Sequence, residues 1–309
     1  MQLREKIISW LFAKAQDMRS LLNVTKEILV VTFKDIRLNP LEPPPGMQIK
    51  AWAAVFEDLW IQAFRLYEPS KGFLSEHLST LYMKHAGTGH YPSLHDLYYY
   101  IRALKFPPVS RTARYQEGIL SRLTLLIKGP LADIFDCSKG HVNKLINTNA
   151  IFEILYLTSE QQIFFVNYLL SYLFFYKLFN ETMLRHFVGI DDSNLIFDAS
   201  LEKRYDMGLP IIHHLLTTVR KNKITIFACT QTPHQLGASI HSNAFLKVMF
   251  SLSYGKDLEC MFQSMGIKDE ERREYCHKLA PREIAVKFSG RFQEPFLAMV
   301  PEVNEHEDR

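Results

Sequence analysis

NLIFDASLEKRYDMGLPIIHHLLTTVRKNKITIFACTQTP, residues 194–233, decides the fold class. Asn194 to Asp198 is a short apolar run ending in a carboxylate, and Thr225 to Thr230 is a second run of strand-forming residues. Between them Ile211, Ile212, Leu215, Leu216 and Val219 fall on one face of a helix. Pro210 stands near its first turn, where a missing N–H costs nothing. Strand, helix and strand within the length of one crossover unit predict neighbouring parallel strands.

The same alternation extends outward. Glu27 to Phe33, EILVVTF, is a continuous β-branched run of the kind covered on both faces in a parallel sheet. Asn39 to Gly46, NPLEPPPG, then forces the chain out of the sheet, because consecutive prolines continue neither ladder nor helix. Residues 47–130 read as helical throughout. Trp52, Val55, Phe56, Leu59, Trp60, Ala63, Phe64 and Tyr67 recur at helical spacing. Ser93 with Asp96 signals a capped helix start, and a further helix is expected from Thr112 to Ile127. Ala150 to Leu155 is strand-like, and Thr158 with Gln161 caps a long aromatic helix reaching about Asn180. Strands are expected at Val248–Ser253, Glu283–Ser289 and Pro295–Val300, with a helix after Asp257. The expected organisation is an α/β core with a mostly parallel sheet flanked by helices. It begins in residues 1–46, is interrupted by an all-α insertion over 47–130, resumes over 131–301 and ends in a charged tail, 302–309.

Composition excludes several classes. The 309 residues are 47% hydrophobic and 22% charged, enough for a sizeable core rather than a disordered chain. Lys and Arg number 36 against 33 Asp and Glu, a net charge of +3, so polyanion binding would have to come from local patches. Cys137, Cys229, Cys260 and Cys276 form no C-x-x-C pair, which disfavours zinc knuckles and disulfide frameworks and suits a reducing, cytoplasmic setting. The opening MQLREKIISWLFAKAQ has no small-residue cleavage site, against a signal peptide. Ile163 to Phe179 is the most lipid-like stretch, but it carries Asn167 and Lys177, so a buried or interface helix is expected rather than a membrane segment.

Ligands of open parallel sheets sit beyond the carboxyl ends of the strands, which selects two positions. Asp198 can hold the water shell of Mg²⁺, or can simply cap the turn after its run. Gln231 offers an amide to a phosphate or an attacking water, or belongs to an ordinary turn shaped by Pro233. His213 and His214 read as surface or interface histidines, and the adjacent Cys276 and His277 cannot face one point. Arg220, Lys221, Lys223, Arg272 and Arg273 either contact DNA phosphates or form solvated helix ends.

The segments NLIFDAS, LLTTVRKNKITIFACTQTP, SIHSNAFLKVMFSLSYGKDLECMFQSMGI and LAPREIAVKFSGRFQEPFLAMVP resemble the second half of the motor domain of HerA/FtsK-type DNA translocases, including TraD-like conjugative coupling ATPases. LNPLEPPPG and the helical zone are similar to an insertion in some members. The resemblance implies a RecA-like P-loop ATPase core, ATP and Mg²⁺ as cofactors, DNA as partner, and a ring, usually a hexamer. It also implies Asp198 as the magnesium-holding aspartate, Gln231 as the polar sensor and Arg220 as an arginine finger. Two departures point to impaired hydrolysis. No G-x-x-x-x-G-K-[ST] occurs, since Gly255-Lys256 is followed by Asp257. Ala199 stands where the family has its catalytic glutamate, and Glu202 is displaced from that position. A non-catalytic structural or regulatory binding module, or a piece of a longer active ATPase, is the alternative reading.

Overall fold

The computed structural model describes residues 6–14, 16–23, 25–31, 36–66, 68–202, 216 and 221–302. The chain divides into two compact units, Met1–Asp191 with Arg204–Ala228, and Asp192–Lys203 with Cys229–Arg309.

The first unit is built on five strands, β1 (Ile7–Ala13), β2 (Ile28–Val31), β3 (Asn149–Glu153), β4 (Arg185–Ile190) and β5 (Ile224–Ala228). All pair in parallel in the order β2-β3-β1-β4-β5. β1 is central. Trp10 sits opposite Ala150 on one side and Val188 on the other. Trp10 is fully buried, donates its Nε1–H to the Leu145 carbonyl at 3.1 Å, and meets Phe152 and His186 edge-on. The sequence reading missed both β1 and β4. It also placed in the sheet a segment that is not there: Asn194–Asp198 is no strand, because residues 193–195 form a 3-10 turn. Within EILVVTF, Ile28–Val31 form a strand, but at the sheet edge with Leu29 exposed, not covered on both faces.

The helical zone follows the sequence closely. It comprises α1 (Ile49–Phe64), α2 (Glu68–His85), α3 (Leu94–Ala103) and α4 (Arg111–Ile127), then the short α5 (Ala132–Phe135) and α6 (Val142–Leu145). Ser93 and Asp96 form a reciprocal capping box on α3. Thr158 and Gln161 do the same on α7 (Ser159–Phe179). At 21 residues α7 is long enough to cross a membrane, so length does not decide its place. Burial does, since 78% of its most apolar window lies inside the protein. Trp52 packs its ring edge-on against Tyr168, Tyr172 and Phe175 of this helix, and Trp60 meets Phe164.

The second unit holds α8 (Ala199–Glu202), α9 (Ala238–Asn243), α10 (Gly255–Met265), α11 (Glu270–His277) and an antiparallel sheet, β6 (Leu246–Met249), β7 (Glu283–Phe288) and β8 (Phe296–Met299). β7 and β8 lie within the expected segments, whereas only Val248 and Met249 of the expected Val248–Ser253 strand belong to β6, and all three pair apart from the parallel sheet. Met249, Leu258, Phe262, Met265, Ile267, Cys276, Leu279 and Ala285 form their core. Cys276 is thus a packing residue, while His277 lies edge-on to Phe262.

Candidate functional site

Register places the carboxyl ends of β4 and β5 side by side, with Ile190 opposite Ala228. One residue beyond β4 stands Asp191, half-buried, its N–H donating to the Phe12 carbonyl at 3.0 Å and so extending the ladder to β1. Asp192 follows in a left-handed conformation, φ 50° and ψ 49°, which aspartate tolerates better than most side chains. The carboxylates at the tip of a sheet strand are therefore Asp191 and Asp192. Their signal in the sequence is RHFVGI followed by two aspartates, the same pattern of apolar run and terminal carboxylate that NLIFD offers at Asp198.

The residues after β4 and β5 are tied together within the second unit. Ser193, fully buried, donates its N–H at 2.8 Å and its hydroxyl at 2.7 Å to the Cys229 carbonyl. The Asn194 side chain accepts from the Thr230 hydroxyl and donates to the Thr232 hydroxyl. Thr232 donates in turn to Gln235 at 3.2 Å, and its N–H reaches the Thr230 hydroxyl at 3.0 Å. Gln231 is exposed in the middle of this segment. Pro233 and His234 anchor it from behind. The buried Asp257 carboxylate accepts the His234 N–H at 3.1 Å and lies 2.6 Å from its ring Nδ1, and His241 Nε2 lies 3.0 Å from the Pro233 carbonyl.

Asp198 takes no part in this arrangement. It makes one isolated antiparallel bridge with Leu236, and its Oδ1 accepts the Ser200 N–H at 2.7 Å, the turn-capping alternative. Ala199 opens α8 and follows no sheet strand, so it does not stand in the position after a strand-end aspartate. Glu202 is engaged elsewhere, accepting the Ala238 N–H at 2.7 Å, the Ser239 N–H at 3.0 Å and the Ser239 hydroxyl. It caps α9 and is not placed as a base. A Cβ on Gly237 would collide with this carboxylate and push it aside. Glu202→Ala is expected to cost about 1–2 kcal/mol of stability, the usual loss of a helix cap, measured by urea unfolding. A loss below about 0.3 kcal/mol would contradict the capping role.

Arg220, His213 and His214 lie outside the described residues. Arg272 pairs with Glu294 at 2.9 Å and Arg273 with Glu259 at 3.3 Å, so both belong to ion pairs. Gly255-Lys256 opens α10 after Tyr254 and forms no loop around a phosphate.

Among the described residues no group of three or more His, Cys, Asp or Glu is arranged to hold a metal. A strand-end carboxylate still suits Mg²⁺, which keeps most of its waters and needs one or two protein oxygens. The donors around β4 and β5 thus fit the metal side of a nucleotide site. They do not fit the triphosphate, for which the sequence provides no glycine-rich run of backbone N–H groups with its lysine.

The fold is RecA-like, a mostly parallel five-stranded sheet flanked by helices. It is similar to VirB4 of Thermoanaerobacter pseudethanolicus, with TM-score 0.72, 11% identity, and 96% of this chain and 82% of that chain covered. It is also similar to the bacterial conjugative coupling protein TrwBdeltaN70 in its unbound monoclinic form, with TM-score 0.58, 9% identity, and 96% and 84% covered. No protein-family model and no curated protein sequence matches the chain.

Proposed function

We propose that this chain is a subunit of a DNA-translocating motor of the HerA/FtsK type, and that it does not hydrolyse ATP by itself. The reading rests on one observation above the others: paired parallel strands, β4 and β5, lead into carboxylates at Asp191 and Asp192 and an amide at Gln231. In the resembled family a strand-end aspartate holds Mg²⁺ and a polar sensor follows the adjacent strand. Asp191 takes the first role in this chain, and Gln231 keeps the second. Asp192 stands next to Asp191, where the family has a glutamate; it keeps the carboxylate but is one methylene shorter. Impairment therefore rests on the absent phosphate loop and no longer on Ala199. DNA is the proposed track, and a ring containing this chain the proposed assembly.

Three measurements on the purified chain test this. ATP turnover with or without duplex DNA is expected at background, and robust turnover would overturn the non-hydrolysing reading. Mn²⁺, a hard stand-in for Mg²⁺, is expected to bind weakly by relaxation enhancement. Asp191→Asn should weaken it at least tenfold, as expected when the carboxylate that would hold the ion is lost, while Asp198→Asn should not. The reverse pattern would return the role to Asp198. Duplex DNA that fails to bind at low salt would leave only the binding-module alternative.

A further inference from the structure

The geometry points to the loop between α3 and α4 as a contact with a bilayer rich in acidic phospholipid, its apolar turn entering at the headgroup–acyl boundary and four cations meeting the headgroups. This goes beyond the motor reading and does not depend on it.

The stem of the loop is held from both sides. Gln116, in the second turn of α4, donates its amide to the Ile101 carbonyl at 2.7 Å and the Leu104 carbonyl at 2.9 Å, so the end of α3 and the start of α4 lie together. Phe106 packs its ring against Phe73 and His77 of α2, with centroids 5.8 and 6.4 Å away. The chain then reverses through Pro107, Pro108, Val109 and Ser110, closed by the Ser110 N–H on the Pro107 carbonyl at 2.9 Å. Val109 is 88% exposed, more than any other large apolar side chain among the described residues, and both prolines are exposed with it.

This turn is poor in backbone donors. Proline has no N–H, and that of Ser110 is already paired, so Val109 carries the one N–H that the tip would have to strip of water. Unpaired donors are what makes irregular backbone costly to bury in lipid.

The charges around the tip call for an anionic partner. No Asp or Glu occurs from Leu97 to Gln116, whereas Arg102 and Lys105 precede the tip and Arg111 and Arg114 follow it. All four are exposed, and none is in an ion pair among the described residues. Arg111 opens α4 and Arg114 comes three residues later, at the end where the helix dipole disfavours cations, and no acid in that first turn offsets them. Tyr99, one turn before Arg102 on α3, is exposed as well, an amphipathic ring of the kind that gathers at headgroup depth. A nucleic-acid backbone would use the cations but has no match for a valine at their centre. Headgroup phosphates above acyl chains match both.

The test sediments the full chain with phosphatidylcholine vesicles made with and without phosphatidylserine. Binding is expected on the acidic vesicles alone. Arg111→Glu with Arg114→Glu should weaken it at least tenfold at unchanged melting temperature, since acids suit that end of a helix. Arg102→Glu with Lys105→Glu tests the other side of the tip should the first pair fold poorly. Val109→Trp should tighten binding several-fold. Trp10, Trp52 and Trp60 are fully buried, so the emission of the added ring can be followed and should shift to the blue on acidic vesicles. No binding to acidic vesicles, equal binding to neutral ones, indifference to both charge pairs, or an unshifted Val109→Trp emission would each overturn the proposal. If duplex DNA binds this face instead, the charge pairs will abolish that binding while the parent chain ignores the vesicles, and the membrane contact falls with it.

Discussion

Acid is expected to remove about 3 kcal/mol of stability between pH 6.5 and pH 4 through His186 alone. This histidine is 1% exposed on β4, against the buried side of the sheet. Its Nε2 lies 2.9 Å from the Ile146 carbonyl, which can only accept, so Nε2 carries a proton. Nδ1 is buried without a partner. Burial lowers the imidazole pKa from 6.5 to about 4; nearby Lys177 pushes the same way, and the Ile146 bond opposes both. Lys177 is itself lowered to about 8 by burial and by Lys223 and Arg185. The sign follows from proton counting. Between the two values the unfolded chain takes up a proton that the folded chain refuses, so unfolding is favoured as pH falls. The contribution is complete above about pH 6.5 and lost by about pH 4, the opposite of a histidine paired with a carboxylate. Urea titrations across this range should show the loss. In His186→Gln, whose amide can still donate to Ile146, the slope should flatten by most of that amount. Parallel profiles for the two proteins would show that His186 does not carry the effect.

His186 also explains why β4 escaped the sequence. Arg185 and His186 break the apolar run, leaving only Phe187, Val188 and Ile190 to signal a strand. NLIFD is denser in apolar residues, and Ile196 and Phe197 are indeed buried, but in a turn of the second unit. Runs this short do not separate strand from buried turn by periodicity, so a strand is expected at the wrong segment. β1 was masked differently: its buried Ile8, Trp10 and Phe12 alternate with Ile7, Ser9 and Leu11, and that mixture reads as an amorphous apolar opening. What was legible was local. The capping boxes at Ser93 and Thr158, the stripe of α1 and the strand before Gln231 each depend on neighbours within a few residues. Pairing of β1 with β3 spans more than a hundred residues, and no local rule reaches that far.

The NPLEPPPG turn carries the other large expected effect. Its breaking of the ladder was readable; its role as an anchor was not, because every partner is remote. Asn39 is 1% exposed, donates its amide to the Pro92 carbonyl at 3.0 Å and the Ser138 carbonyl at 3.3 Å, and accepts the Leu41 N–H at 2.9 Å. Its own carbonyl accepts from the buried Tyr168 hydroxyl at 3.2 Å. On the same turn the Pro40 carbonyl takes the Trp52 Nε1–H at 2.9 Å, and the Leu41 carbonyl takes the Tyr82 hydroxyl at 2.6 Å. Helices α1, α2 and α7 are thus hydrogen-bonded to a few consecutive backbone carbonyls. Asn39→Leu would strand a buried N–H and two carbonyls at about 1–3 kcal/mol each, partly relieved by relaxation, so a loss of about 3–5 kcal/mol is expected. Asn39→Asp should fare no better, since it turns an acceptor toward two carbonyl oxygens. Gly140 offers an independent approach to the same anchor. Its N–H donates to Glu42 at 2.6 Å, and an added Cβ would sit 2.7 Å from the Asn39 backbone nitrogen and 3.3 Å from Leu38 Cα. Backbone meets backbone there, so no side-chain rotation relieves the contact, and Gly140→Ala should destabilise comparably. Chemical unfolding of the three variants, with unchanged m-values, measures the effect. A loss below about 1 kcal/mol in both Asn39 variants would mean that the turn is passive and that packing of α1 on α7 holds the helical layer unaided.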